Sequence, residues 1–350
     1  MFYPYLQKGK ENVPIQAKLL KEVEDPIPLE YVLGMMMNGC VSCVEKATKA
    51  PAVYAFAIPS YSTANFRFNF EKARELSGLP QCYTLNCDLA AALDYVYYRN
   101  LAKQFASYSK HSPFYLMILN SGFHATEYSD HIDLAAHQFR EFCGGDRVTK
   151  VIYNVLLKKY EEHYGFCPKT SHRFHFVLYD QAEKAKHDLS LKGLDEARVD
   201  LSQKEDEYYV MLSEREIAEE IRAEGIADEI ASDFLECIRK AGCPSPLKCE
   251  LIGGNSRVPL IQRTLQAKLQ EKRWKCDFTT TLNCDESIAS GSALYAAYKI
   301  DPGAVGQAAL MNCIEQLNHA YVPPDGTDFF YRQSEAGTRE STPPLSSCRD

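Results

Sequence analysis

The chain lacks any apolar run long enough to span a bilayer, and its start, "MFYPYLQKGKENVPIQ", lacks the charged-then-apolar profile of a signal peptide. Positive charge is in deficit: 39 Lys and Arg stand against 47 Asp and Glu, a net charge of -8. A field that would steer nucleic acid or an anionic membrane surface is therefore not expected, although a local basic pocket remains open. Thirteen cysteines are present, but the number is odd and their spacing does not repeat, which argues against a disulfide framework. "CVSC", Cys40 and Cys43, has no second CxxC or His pair placed to complete four zinc ligands. The helical spacing of Leu29, Leu33, Met36, Cys40, Cys43 and Ala47 instead predicts that both thiols lie on a buried stripe. "HRFH", His172 and His175, likewise has no third ligand in view. The expectation is an intracellular protein, cytoplasmic or nuclear, that binds neither membrane nor nucleic acid.

With 350 residues, 45% of them hydrophobic, the chain is long enough for two lobes with sizeable cores. "AVYAFAIPS" (52–60) reads as a buried strand, followed by a helix with Phe66, Phe70 and Ala73 on one face that closes through Gly78 and Pro80. "QCYTLNCDLAAALDYVYY" passes from strand to helix near Asn86, and "FYLMIL" (114–119) is a strand entering the turn "NSGFHATEYS". Beyond "CGGD" (143–146), one amphipathic helix carries Val148, Ile152, Val155 and Leu156, and another carries Phe174, Leu178, Ala182, Ala185 and Leu189. "EYYVML" is a strand that meets a capping box, Ser213 with Glu216, and "LKCELI" is a further strand. Strand and helix alternate as in an α/β fold. From about residue 301 the composition is that of a disordered tail.

Three stretches combine residue types suited to a ligand. In "LIGGNSRVPLIQ", Gly253 and Gly254 let backbone approach a flat molecule, Asn255 or Ser256 can cap the next helix, and Pro259 suits its first turn. Arg257 supplies a planar cation able to stack on a purine. "QAEKAKHDLS" sets Glu183, Lys186, His187 and Ser190 on one helical face. "LNCDESIASGSALYAA" places Asp285 as an N-cap ahead of small residues that permit close helix packing. Each stretch alone also reads as packing: a strand-turn-helix corner, a solvated charged face, an ordinary cap.

In order and spacing, "LIGGNSRVPLIQ" and "TLNCDESIASGSALYAAY" resemble the C-terminal part of the ATPase domain of the seventy-kilodalton heat-shock proteins (the DnaK type), especially their hundred-and-ten-kilodalton relatives. "CGGDRV", "DQAEKAKHDLS" and "YAFAIPSYSTANFRFNFEKARELSGLPQCYTLNCDLAAALDY" extend the resemblance, over about residues 12–300. It implies an actin-like ATPase (ribonuclease H-like) fold with an incomplete lobe I in 1–112, a largely complete lobe II in 113–300 with a helical subdomain at about 143–235, and a divergent tail in 301–350. It also implies adenosine contacts from Gly253, Gly254, Asn255, Arg257, Asp285, Glu183, Lys186 and Ser190, with Gly144 and Gly145 nearby. His187 stands where the family has an arginine.

The phosphate half of the family's site is depleted. A glutamate of the catalytic region corresponds to Cys87 and an aspartate of the second phosphate turn to Asn120, leaving Gly122 from a glycine run; no counterpart of the family's opening glycine-rich turn is present in this sequence. A thiol and a neutral amide cannot supply the charge that orders hydrated Mg²⁺. The expectation is a heat-shock-family, chaperone-related protein of the stress response with weak ATP or ADP binding, doubtful Mg²⁺ binding and no hydrolysis. A co-chaperone or exchange factor acting on a complete relative fits this reading; an active ATPase of the same fold and a truncated product without dedicated activity are the alternatives.

Overall fold

The computed structural model describes residues 29–48, 53–60, 62–79, 82–101, 114–119, 122–128, 132–140, 144–168, 172–191, 194–203, 206–242 and 247–303. Asn120 and residues 304–350, which include most of the tail, lie outside the described residues. The chain divides into two units: Met1–Tyr54 with Ser62–Tyr83 and His319–Asp350, and Ala55–Tyr61 with Thr84–Asn318.

In the first unit, helix α1 (Leu29–Thr48) packs on helix α2 (Ala64–Leu76). The contact centres on Gly34, where an added Cβ would sit 2.9 Å from the Ala73 carbonyl oxygen. Met37 and Val41 continue that stripe at spacings of three and four and are buried. The sequence-predicted stripe is therefore misplaced around the helix: Met36 is exposed, as are Cys40 and Cys43. Glycine carries no hydrophobic signal, yet the close approach it allows sets the rotation of α1. Asn38 Nδ2 donates to the Ser77 carbonyl oxygen at 3.0 Å, and Lys72 pairs with Glu30 at 2.9 Å. In α2, Thr63 Oγ1 accepts from Phe66 N, and Phe66, Phe70 and Ala73 are buried as their spacing predicts. The chain leaves α2 through Gly78, at φ 69°.

Strands β1 (Tyr54–Ile58) and β2 (Cys82–Asn86), each with most of its residues in the second unit, form a two-stranded sheet. β2 runs directly into α3 (Cys87–Leu101), whose run from Leu89 to Leu93 is buried. Strands β3 (Phe114–Leu119), β4 (Gly122–Tyr128) and β5 (Ile132–Phe139) make an antiparallel meander. This corrects the reading of "NSGFHATEYS" as a turn, since most of it is β4. A register shift between Ala125 and Thr126 breaks the apolar-polar alternation by which a strand is recognised.

Four helices and a hairpin follow: α4 (Gly145–Tyr164), α5 (His172–Leu189), β6 (Glu196–Asp200) paired with β7 (Tyr209–Ser213), α6 (Glu214–Ala223) and α7 (Ile226–Lys240). Ser213 Oγ accepts from Glu216 N at 3.1 Å, the forward half of the predicted capping box. The Glu216 carboxylate turns instead to Lys159 at 2.9 Å. The predicted stripes of α4 and α5 enter one core with Leu212, Phe234 and Leu247, except that Val155 and Phe174 are half-buried against it.

β8 (Leu247–Leu251) then pairs parallel to β3, completing a sheet of order β5-β4-β3-β8-β9 once β9 (Cys276–Thr279) joins it. Between them lie a 3-10 turn at Gly254–Arg257 and helix α8 (Pro259–Lys272); α9 (Ser287–Ile300) follows. α9 crosses α3 where a Cβ added to Gly291 would lie 1.8 Å from the Ala90 carbonyl oxygen. Ser290 Oγ donates to Asp94 Oδ1 beside that crossing, at 2.7 Å. Among the described residues no helix is long and apolar enough to cross a membrane.

Candidate functional site

Parallel strands present their C-terminal ends to ligands because the loops that follow can spread apart there. β8 ends at Leu251 and leads through Ile252 into Gly253, which takes φ 77°, a backbone region that favours glycine. Neither Asn255 nor Ser256 caps α8, contrary to the sequence reading: Val258 is the N-cap and Pro259 the first helical residue. Ser256 Oγ donates instead to the Gly253 carbonyl oxygen at 2.8 Å, which tightens the 3-10 turn. Asn255 Oδ1 is buried without a hydrogen-bond partner.

Asp285 does not cap α9 either. The residue before that helix is Glu286, with no side-chain bond, and Asp285 Oδ2 accepts from Arg257 Nη2 at 2.8 Å. Arg257 also contacts Cys284 Sγ, and Gly253 N donates to the Cys284 carbonyl oxygen at 3.1 Å. The glycine loop and the "DES" loop are thus one structure. Burial opposes the charge of Arg257, but Cys284 and Asp285 outweigh it and raise its pKa further.

The charged face of α5 is not a solvated one. Lys186 is 7% exposed, and its Nζ donates to both Glu183 oxygens at 2.8 Å and to Thr149 Oγ1 at 2.9 Å. Thr149 is fully buried and also bonds Glu183. His187 Nε2 reaches Glu183 Oε1 at 3.1 Å while its ring stays exposed. Burial pushes the Glu183 carboxyl up, but Lys186, Thr149 and His187 together hold it below the usual carboxylate range. Ser190 is occupied locally, donating to the Lys186 carbonyl oxygen at 2.7 Å.

These stretches meet at the start of α4. Gly144 is its N-cap and offers no side-chain bond. A Cβ added to Gly145 would lie 3.2 Å from Lys186 Nζ and 3.7 Å from Asn255 Cβ. A small apolar recess of about 20 Å³ opens beside this junction, lined by Val148, Ile152, Leu189 and Val258 with Lys186 and Ser190. The fold therefore gathers Gly145, Glu183, Lys186 and His187 in one group and Gly253, Arg257 and Asp285 in another, joined through Asn255. Cys87 begins α3.

Sequence reasoning missed Thr149, Cys284 and Glu250. Thr149 follows Gly145 by one helical turn, and Cys284 lies inside a motif already singled out. Glu250, fully buried, was visible as a charge inside the apolar strand "LKCELI".

The family model described as Hsp70 protein matches residues 3–312. Human "Heat shock 70 kDa protein 4L" is 24% identical over 318 residues, covering 84% of this chain and 35% of that protein. Rat "Heat shock 70 kDa protein 4" is 22% identical, covering 79% of this chain and 33% of that protein. "Chaperone protein DnaK" of Mesomycoplasma hyopneumoniae is 26% identical over 166 residues, 43% of this chain and 25% of that protein. The chain spans about a third of the length of the heat-shock relatives it matches first. Matched along most of its length, from before α1 to beyond α9, the chain belongs to the Hsp70 protein family, whose members have the actin-like ATPase fold.

Proposed function

We propose that residues 144–300 form a binding site for the nucleoside part of ATP or ADP, in a chaperone-related protein that does not hydrolyse them. The observation that carries this reading is the convergence at Gly145, whose missing Cβ leaves Lys186 Nζ and Asn255 together across the start of α4. Glu183 accepts and Lys186 donates, a pair matched to the two hydroxyls of a ribose. Asn255 Oδ1, a buried acceptor without a partner, fits a donor on the ligand. Arg257, held from the side by Asp285, offers a guanidinium plane to a purine. His187 supplies a smaller plane from α5 than an arginine would.

The phosphates and Mg²⁺ would supply the electrostatics of phosphoryl transfer when bound. Cys87 brings a thiol to a position where the family has a carboxylate, and Asn120 a neutral amide. Neither provides the negative charge that holds a hydrated divalent ion. In this reading lobe I lies within residues 1–112 and lobe II within 113–300, with a helical subdomain at about 143–235. Binding without hydrolysis suits a protein that works on a complete relative, in the cytoplasm or nucleus, as a co-chaperone or exchange factor.

Calorimetric titration with adenosine tests the reading. Saturable binding is expected, weakened about tenfold in Lys186→Met, where a charged hydrogen bond is lost and the aliphatic stem is kept. Absence of saturable heat at millimolar adenosine contradicts it.

A further inference from the structure

Glu250 is fully buried on β8, a strand paired on both sides, and its hydrogen-bond partners among the described residues are all neutral. Oε1 accepts from Thr281 N and from Leu282 N, the latter at 2.8 Å. Oε2 accepts from the hydroxyls of Thr279 and Thr281, the latter at 3.1 Å. A buried carboxylate without a cation bonded to it is costly, and apolar residues fill such positions at less cost. What it holds is specific. Glu250 belongs to β8, which delivers Gly253 and Arg257, while its donors belong to the segment that delivers Cys284 and Asp285. Thr279 lies opposite it in the β8-β9 ladder, but Thr281 and Leu282 lie beyond the end of β9, where no ladder bond fixes the chain. Arg99 Nη2 of α3 donates to Thr281 Oγ1 at 3.1 Å, fastening the same segment from its other side.

We infer that Glu250 is a positioning residue for the nucleoside site: its carboxylate sets the path of residues 279–285, so that the Cys284 carbonyl meets Gly253 N and Asp285 meets Arg257. The inference rests on the proposed nucleoside reading for its effect on binding, and on the hydrogen bonds alone for its effect on the loop. Without the carboxylate, the N–H groups of Thr281 and Leu282 and the Thr281 hydroxyl lose their acceptor together, Thr279 keeps only its 3.4 Å bond to the Cys249 carbonyl oxygen, and the segment loses the bonds that bring it back over β8. Glutamine at this position keeps one acceptor oxygen for the two N–H groups, and both threonine hydroxyls can turn to accept from its amide.

The test compares Glu250→Ala and Glu250→Gln with the full chain by hydrogen exchange and by adenosine titration. The expected result is exchange about tenfold faster at residues 279–285 in Glu250→Ala, with β3 and α4 unchanged and Glu250→Gln intermediate. Adenosine affinity should fall about tenfold in Glu250→Ala and less in Glu250→Gln. Unchanged exchange at residues 279–285, or a rise spread evenly over β3, β8 and α4, overturns the inference, as does a loosened loop with unaltered adenosine affinity. Should Glu250→Ala not fold, Glu250→Gln is judged by the same criteria. A wild-type chain that binds no adenosine ends the nucleoside reading, and the exchange data then decide the brace by themselves.

Discussion

The backbone N–H of Gly253 donates to the carbonyl oxygen of Cys284 at 3.1 Å, and the two side chains that flank this bond, Arg257 and Asp285, form an ion pair at 2.8 Å. The guanidinium is thereby held edge-on, with the plane left as its interacting surface. Arg257→Ala should lower adenosine affinity about 2- to 30-fold, the range of a stacked cation. Stability should change by less than about 1 kcal/mol, because the pair is solvent-exposed. Titration beside thermal melting separates the two. Unfolding with no specific loss of binding would make the motif a packing corner.

Glu183 gives the site an acid limit. Its folded-state pKa lies below the ordinary 4.5, so its contribution to stability is fully present above that value and is lost as pH falls through the lowered one. Glu183→Gln should therefore show a shallower decline in unfolding free energy between about pH 6 and pH 3 than the wild type. The difference should be below about 1 kcal/mol because the carboxylate is partly exposed. Equal slopes would mean that Lys186 and Thr149 do not favour the ionised form.

Two glycines in helices should respond in opposite directions to alanine. At Gly291 the new methyl would meet the Ala90 carbonyl oxygen at 1.8 Å, backbone against backbone, so α3 and α9 must move apart. Gly291→Ala should cost about 1–3 kcal/mol even after the gain in helix propensity. At Gly39 nothing lies within 4 Å, and Gly39→Ala should stabilise by about 0.5–1 kcal/mol. Urea denaturation measures both.

Alkylation should read out the rotation of α1. Cys40 and Cys43 are exposed and, among the described cysteines, should react first with iodoacetamide at about pH 8. Burial pushes the Cys82 thiol up to about 12, with Glu71 adding to the shift and Arg74 opposing it, so Cys82 should lag well behind. Cys237 and Cys249 are fully buried and should stay silent until the protein unfolds. Protection of Cys40 and Cys43 in place of Cys82 would restore the stripe predicted from spacing.

What could be read in advance was what periodicity and local chemistry determine. The faces of α4 and α5, the strand at Leu247–Leu251, the proline opening α8 and the shared face of Glu183, Lys186 and His187 all follow from residue spacing. What could not be read depends on partners distant in the chain. Lys186 is buried because Thr149 and Gly145 of another helix close over it, at a separation of 37 residues for the Thr149 bond. β6 alternates strictly, with Ala197 and Val199 buried between exposed Glu196, Arg198 and Asp200, but two small apolar residues in a five-residue span are too short a pattern to stand out. Asp285 carries a good capping side chain, but the charge of Arg257 draws it away from the α9 terminus.

The central claim is that the nucleoside contacts persist where the phosphate contacts are depleted, and comparative calorimetry of adenosine, ADP and ATP in the presence of Mg²⁺ tests it most directly. The three should bind with similar, weak affinities, each on the order of 10 μM to 1 mM. A preference for ATP over adenosine greater than about a hundredfold, or roughly 2.7 kcal/mol, would contradict it, because such a preference requires a working phosphate site.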